Sequence, residues 1–167
     1  SKLAVRQTEI FCEKFAAFYP DTELNVVSMK ALGDKDLKSS ISQMSAQGAF
    51  VKELDEALIN GEIDVSVNSL KDIPITVTEG LTIGAVFERD AVEDVILPVP
   101  IDELPEGARI GTSSIRRQHM LKEYRPDLEI VPLRGNIHTR LAKLDAGEYD
   151  AIVLAKAGLD RMGIVRP

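Results

Sequence analysis

Asp72 lies in the run Asn68-Ser69-Leu70-Lys71-Asp72-Ile73-Pro74, where a lysine and an aspartate follow a short β-branched stretch. A carboxyl group there can give a proton when protonated, or as carboxylate take one or stabilise a cation, and Lys71 can neutralise a ligand carboxylate beside it. An exposed Lys-Asp turn leading into Pro74 accounts for the same residues. A second polar run follows at Gly111-Thr112-Ser113-Ser114-Ile115-Arg116-Arg117. Its glycine and serines permit a tight strand-to-helix turn, and exposed amides at a helix start receive anions. Thr112 and Ser114 add hydroxyl donors, while Arg116 and Arg117 offer forked donors to carboxylate or phosphate. A solvated, capped helix is the equal alternative. Arg134, Arg140 and Arg161 stand near other turns. Each alone reads as a surface or ion-paired arginine, but their recurrence points to a cleft for a small, multiply anionic ligand.

The elements that must carry these groups follow from hydrophobic spacing. Residues 3–18 read as a helix with Leu3, Ile10, Phe11, Phe15 and Phe18 on its apolar face, ended by Pro20-Asp21. A strand is expected at 24–29, a polar loop at 33–36, and a helix at 46–58 closed by Asn60-Gly61. Strands are expected at 63–67 and 81–87. Residues 88–91 break the apolar pattern and form the expected hinge, with a new strand at 92–97. The second half reads as a helix at 114–124, an extended segment at 128–132, a helix at 137–146 and a buried strand at 149–154. Residues 61–67 align without a gap to 147–153, and Pro20-Asp21 echoes Pro126-Asp127. Two related α/β units facing across a hinge are therefore expected, with their loops around one cleft.

Composition narrows the class. At 167 residues and 44% hydrophobic, the chain can build one ordinary domain or two small ones. Aromatics are only 5% and tryptophan is absent, which favours aliphatic strands covered by helices over a base-stacking surface. The net charge of -7 argues against a broad nucleic-acid surface. Its distribution is uneven: 10 basic and 20 acidic residues up to position 110, then 10 and 7. A single cysteine, Cys12, leaves no internal disulfide framework, and no secretory or membrane-spanning stretch is visible, so a cytoplasmic setting is expected. Cys12 reads as a packed thiol. His119 and His138 lack a metal-ligand spacing, and no metal is expected. Met44 and Met120 read as packing residues.

Taken in order, several stretches resemble hydroxymethylbilane synthase, also called porphobilinogen deaminase. They are Ser1-Lys2-Leu3-Ala4 through Gln7, Gly48-Ala49-Phe50-Val51-Lys52-Glu53-Leu54, Ser69-Leu70-Lys71-Asp72-Ile73-Pro74, and Gly111-Thr112-Ser113-Ser114-Ile115-Arg116-Arg117-Gln118. Leu133-Arg134-Gly135-Asn136, Thr139-Arg140-Leu141 and Ala157-Gly158-Leu159-Asp160-Arg161 continue the series. The resemblance implies two periplasmic-binding-protein-like α/β domains with an interdomain cleft, at 1–88 and 93–167 with a hinge at 89–92. The family's third, cofactor-bearing domain is expected to be absent. The first domain is expected to be incomplete at its N-terminus and to lack its return segment, and the end of the second is left open.

The resemblance further implies a monomeric transferase of tetrapyrrole (heme) biosynthesis that binds no nucleic acid and no membrane. It condenses four porphobilinogen molecules head to tail, with ammonia release, to form hydroxymethylbilane, primed by a covalent dipyrromethane cofactor. Asp72 would be the catalytic carboxylate, meeting pyrrole nitrogens and helping to protonate the departing amine. Ser69, Lys71, Thr112, Ser114, Arg116 and Arg117 would bind the cofactor. Ser1, Arg134, Arg140 and Arg161 would receive carboxylates of porphobilinogen or the growing pyrrole chain. The family attaches its cofactor through a third-domain cysteine, to which Cys12 does not correspond. The sequence departs from the family at Asn68, where histidine is usual, and at Gln47, where lysine is usual. A portion of the enzyme, inactive by itself, is thus the leading expectation; a catalytically inactive family member and a small-anion binding module are the alternatives.

Overall fold

The computed structural model describes residues 1–29 and 51–166. The loop expected at 33–36, the start of the helix expected at 46–58, Met44 and Gln47 lie outside the described residues. The chain divides into two compact units, Lys2–Phe87 and a second from Glu88 onward, with which Ser1 is grouped.

In the first unit, α1 (Lys2–Phe18) and α2 (Lys52–Ile59) are the α-helices among the described residues. Phe11 stacks at 5.6 Å from Phe15 and 6.2 Å from Phe87, so the aromatic positions three to four apart in α1 do share one face. Phe18, expected on that face, is 80% exposed. The strands expected at 24–29, 63–67 and 81–87 form no ladder among the described residues. Val26, Val27, Val65 and Val86 are all more than half exposed, so no apolar sheet face is buried there. β-Branched composition favours extended backbone, but a strand also needs a neighbour for its amides and carbonyls.

The second unit holds one four-stranded sheet in the order β1-β4-β2-β3. The strands are β1 (Asp94–Leu97), β2 (Arg109–Gly111), β3 (Glu129–Val131) and β4 (Ala151–Ala155). β2 runs parallel to β3 and to β4, whereas β1 is antiparallel to β4, pairing Asp94 with Ala155. Three helices complete the unit: α3 (Ile115–Tyr124), α4 (Ile137–Asp145) and α5 (Lys156–Arg161). The sheet is buried on both faces, as a run of consecutive apolar residues in β4 requires. Ile152 and Leu154 pack with Leu133, Leu141, Tyr149 and Leu159. Ala151 and Val153 face the other way, toward Ile110, Leu121 and Leu128.

The repeated Gly-Glu pairs have a common local structure. After α2, the Gly61 amide bonds the Leu58 carbonyl and the Glu62 amide reaches back to Ala57. After α4, Gly147 and Glu148 do the same to Leu144 and Lys143. Gly61 and Gly147 sit at φ +70 and +74, the left-handed conformation this helix stop demands. The copies then diverge, because the second continues into β4 and finds partners on both sides.

Candidate functional site

Parallel pairing places the carboxyl ends of β2, β3 and β4 along one edge of the sheet, where the turns into α3, α4 and α5 emerge. This is the edge at which parallel α/β sheets bind ligands. Each of the first two turns supplies a helix cap. The Ser114 side chain accepts from the Arg117 amide at 3.5 Å, and Asn136 Oδ1 accepts from the Thr139 amide at 3.0 Å. Thr112, expected to offer its hydroxyl to a ligand, is 3% exposed and takes the Ser114 amide at 3.2 Å. Ser113 bridges the turns: its Oγ donates to the Leu133 carbonyl and accepts from the Leu133 amide, both at 3.0 Å.

Four charged side chains meet at this edge. Arg116 Nη2 lies 2.6 Å from Asp94 Oδ2, and Arg117 Nη2 lies 2.6 Å from Asp94 Oδ1. Arg117 also donates from Nη1 to the Val153 carbonyl at 3.2 Å, but its Nε is buried and meets no hydrogen-bond partner among the described residues. Burial works against the charge of Asp94, yet the hydrogen bonds from Arg117 and Arg116 outweigh it and hold its carboxyl below the usual aspartate value. Arg140 donates from Nε to the Gly135 carbonyl at 2.7 Å. Its pKa is lowered by burial first and by the nearby positive charge of Arg117 second. Three guanidinium groups and one carboxylate leave an excess of positive charge, with a buried N–H lacking an acceptor. A carboxylate bound beside the exposed Arg116 would offset the excess charge.

Arg134 is exposed in the turn between β3 and α4. Arg161 ends α5 and is ion-paired to Asp90, so its guanidinium is engaged there rather than in the arginine cluster. Within the first unit, Lys71 and Asp72 are exposed in a single 3-10 turn, Leu70–Asp72. Ser69 Oγ, immediately before it, accepts from Gln7 Nε2 of α1 at 2.7 Å, and Asn68 Nδ2 donates to Ser66 Oγ at 3.0 Å. Ser1 is exposed ahead of α1.

Cys12 is partly buried in α1. Among the described residues no cluster of three or more His, Cys, Asp or Glu could hold a metal ion, and no helix is long and apolar enough to cross a membrane. Sequence reasoning passed over Asp94 and Ser113 at the carboxyl edge of the second unit. Ser113 was within reach, lying in the same Gly-Thr-Ser-Ser run as Thr112 and Ser114. Asp94 was not, since only the antiparallel register of β1 carries an acid to the carboxyl edge.

Comparison with known proteins agrees with these motifs. The family model described as porphobilinogen deaminase, dipyromethane cofactor binding domain, matches residues 1–166. The porphobilinogen deaminase of Natranaerobius thermophilus is 48% identical over 168 residues, covering 98% of this chain and 54% of that protein. That of Streptococcus sanguinis is 46% identical, with 98% and 55% covered, and that of Burkholderia orbicola 43%, with 98% and 50%. The chain therefore spans about half the length of these curated relatives. With the family model matched along almost all of its length and identities of 43–48%, the chain belongs to the porphobilinogen deaminase family.

Proposed function

We propose that the native polypeptide carrying this sequence is a hydroxymethylbilane synthase, a transferase of heme and wider tetrapyrrole biosynthesis that condenses four porphobilinogen molecules with release of ammonia. The observation that carries this reading is the arginine cluster: Arg116, Arg117 and Arg140 around the single carboxylate of Asp94. Porphobilinogen and the chains built from it carry acetate and propionate groups, which this excess of forked cationic donors matches.

The same excess fits a dipyrromethane group. Arg116, Arg117 and Ser114 would hold its carboxylates, with Ser69 and Lys71 as further contacts and Thr112 acting from a buried position. When bound, that group supplies the pyrrole carbon on which the chain is primed. Arg134, Arg140, Arg161 and Ser1 are assigned to carboxylates of substrate or growing chain. Arg161 does so only by exchanging Asp90 for a ligand.

Asp72 is the proposed catalytic acid. Loss of the aminomethyl nitrogen breaks a C–N bond whose electron pair leaves with nitrogen, so that nitrogen must already be protonated. The carbon left behind shares its positive charge with the pyrrole ring. A carboxyl group at Asp72 can deliver that proton, and its carboxylate then accepts the pyrrole N–H and stabilises the cation. The two-domain, periplasmic-binding-protein-like arrangement at 1–88 and 93–167 with a hinge at 89–92 belongs to this reading. So do a monomeric, cytoplasmic state and a cofactor-attachment cysteine other than Cys12. The 167-residue chain by itself is expected to be inactive.

Ammonia release from porphobilinogen by the native polypeptide tests the assignment. The unaltered protein should release it with formation of hydroxymethylbilane, and Asp72→Asn should slow release by about 100-fold or more. A folded Asp72→Asn protein of unaltered rate removes Asp72 from the chemistry, and absence of release from the unaltered protein leaves an anion-binding module.

A further inference from the structure

We infer that Asp94 is a positioning residue, which converges Arg116 and Arg117 on one point so that a multicarboxylate ligand meets both. The inference rests on the reading that these arginines receive ligand carboxylates. Consecutive residues of a helix project about 100° apart and do not face each other. Arg116 and Arg117 nevertheless bring their Nη2 atoms to the two oxygens of one carboxylate, each at 2.6 Å. The convergence is imposed from outside the helix. β1, the antiparallel strand of the sheet, begins at Asp94 opposite Ala155, and so sets its first side chain at the carboxyl edge of β4.

The two arginines are held unequally. Arg117 is 13% exposed in its side chain and is fixed by both Asp94 and the Val153 carbonyl. Arg116 is 61% exposed, and its other named contact is a donation to Met120 Sδ at 3.4 Å. Asp94 is therefore what gives Arg116 a defined place. Arg140 is left beside the pair, its Nε spent on the Gly135 carbonyl while its Nη groups meet no acceptor among the described residues. Asp94 repels a ligand's carboxylates, which opposes binding, and its attraction for the arginines is present with or without the ligand, so its favourable contribution is conformational. Two rotamer-rich side chains are ordered before the ligand arrives, and that ordering favours binding.

The test uses the native polypeptide with Asp94→Asn, Asp94→Glu and, as a marker for the arginine reading itself, Arg117→Ala. Guanidinium Nη resonances of Arg116 and Arg117 report their restraint directly. Dipyrromethane retention is measured by intact mass, and KM and kcat for porphobilinogen on the cofactor-loaded fraction. Asp94→Asn is expected to collapse the slow-exchange Nη signals, to lower cofactor retention, and to raise KM about tenfold with kcat within about twofold. Asp94→Glu should recover part of each change. Unchanged Nη signals, or unchanged or tighter binding in folded Asp94→Asn, overturns the inference. If Arg117→Ala loses the cofactor while Asp94→Asn keeps it, only the role of Asp94 is wrong. If Arg117→Ala keeps it as well, the arginine reading fails first. Should Asp94→Asn not fold, Arg116→Lys replaces it, retaining charge without the fork. The same rise in KM is expected there, and an unaltered KM overturns the inference.

Discussion

Ser113 and Leu133 are joined twice, the serine hydroxyl donating to the Leu133 carbonyl and accepting the Leu133 amide, both at 3.0 Å. The pair prolongs the β2–β3 ladder by one rung after the backbone strands have ended, just beyond the Thr112 amide's bond to the Val131 carbonyl. It thereby ties the turn that leads into α3 to the turn that leads into α4. Leu133 is 1% exposed whereas Ser113 is exposed, so water can reach the place of a lost hydroxyl. Ser113→Ala should therefore cost about 0.5–1.5 kcal/mol, the range for an ordinary hydrogen bond. Chemical denaturation followed by far-UV circular dichroism measures it, and a loss near zero means the two turns hold each other by other means.

Gly111 ends β2 against the ring of Tyr149. A Cβ there would lie 2.8 Å from Tyr149 Cδ1 and 3.1 Å from Ile152 Cγ2. Ile152 is fully buried, and Tyr149 is pinned by its hydroxyl bond to the Pro132 carbonyl at 2.9 Å, so neither yields readily. Gly111→Ala should destabilise by about 1–3 kcal/mol through overpacking. Tyr149→Phe, which removes one hydrogen bond, should cost about 1 kcal/mol. Equal stability of Gly111→Ala and the unaltered protein contradicts this packing.

The two helix caps at the carboxyl edge differ in strength. Asn136 Oδ1 accepts both the Thr139 amide at 3.0 Å and the Thr139 hydroxyl at 3.2 Å, whereas Ser114 meets its cap amide at 3.5 Å. Asn136→Ala is expected to cost about 1 kcal/mol and Ser114→Ala less. In porphobilinogen turnover the order reverses, because Ser114 is assigned to the ligand. A larger stability loss for Ser114→Ala refutes the assignment of cap strength.

Acid stability follows from Asp94 and Asp127. The folded pKa of Asp94 lies below its ordinary 3.8, and that of Asp127 is lowered by the Arg125 hydrogen bonds and the Gly107 amide. As pH falls, the unfolded chain takes up these protons first. The stabilisation is thus complete above the ordinary aspartate value and is lost as pH drops through the lowered folded values. Urea midpoints measured from about pH 6 to about pH 2 should fall steeply below about pH 4. Asp94→Asn should start lower and fall less steeply. Parallel curves for the two proteins contradict the linkage.

Much of the second unit was legible because its signals are local. Ser114 and Asn136 cap helices at the positions their sequences announce, and Gly147, like Gly61 in the first unit, stops a helix by left-handed backbone that no other residue adopts so easily. The apolar run expected at 149–154 became β4, starting two residues and ending one residue later than expected. Residues 24–29, 63–67 and 81–87 carry equally β-prone sequence but form no ladder among the described residues, since pairing depends on a partner that composition does not name. The arginines were legible as cations, but not their company. Asp90 engaging Arg161 and Asp94 engaging Arg116 and Arg117 are tertiary facts, set by the start and register of β1.

The central claim is that the arginines at the carboxyl edge hold a covalently kept, multicarboxylate pyrrole group. Intact-mass analysis of the native polypeptide tests it most directly, comparing the unaltered protein with a folded Arg116→Ala/Arg117→Ala double variant. The unaltered protein should carry the added mass of dipyrromethane on a cysteine other than Cys12, and the double variant should carry none. Dipyrromethane kept in full by the folded double variant, or found on Cys12, would contradict the account.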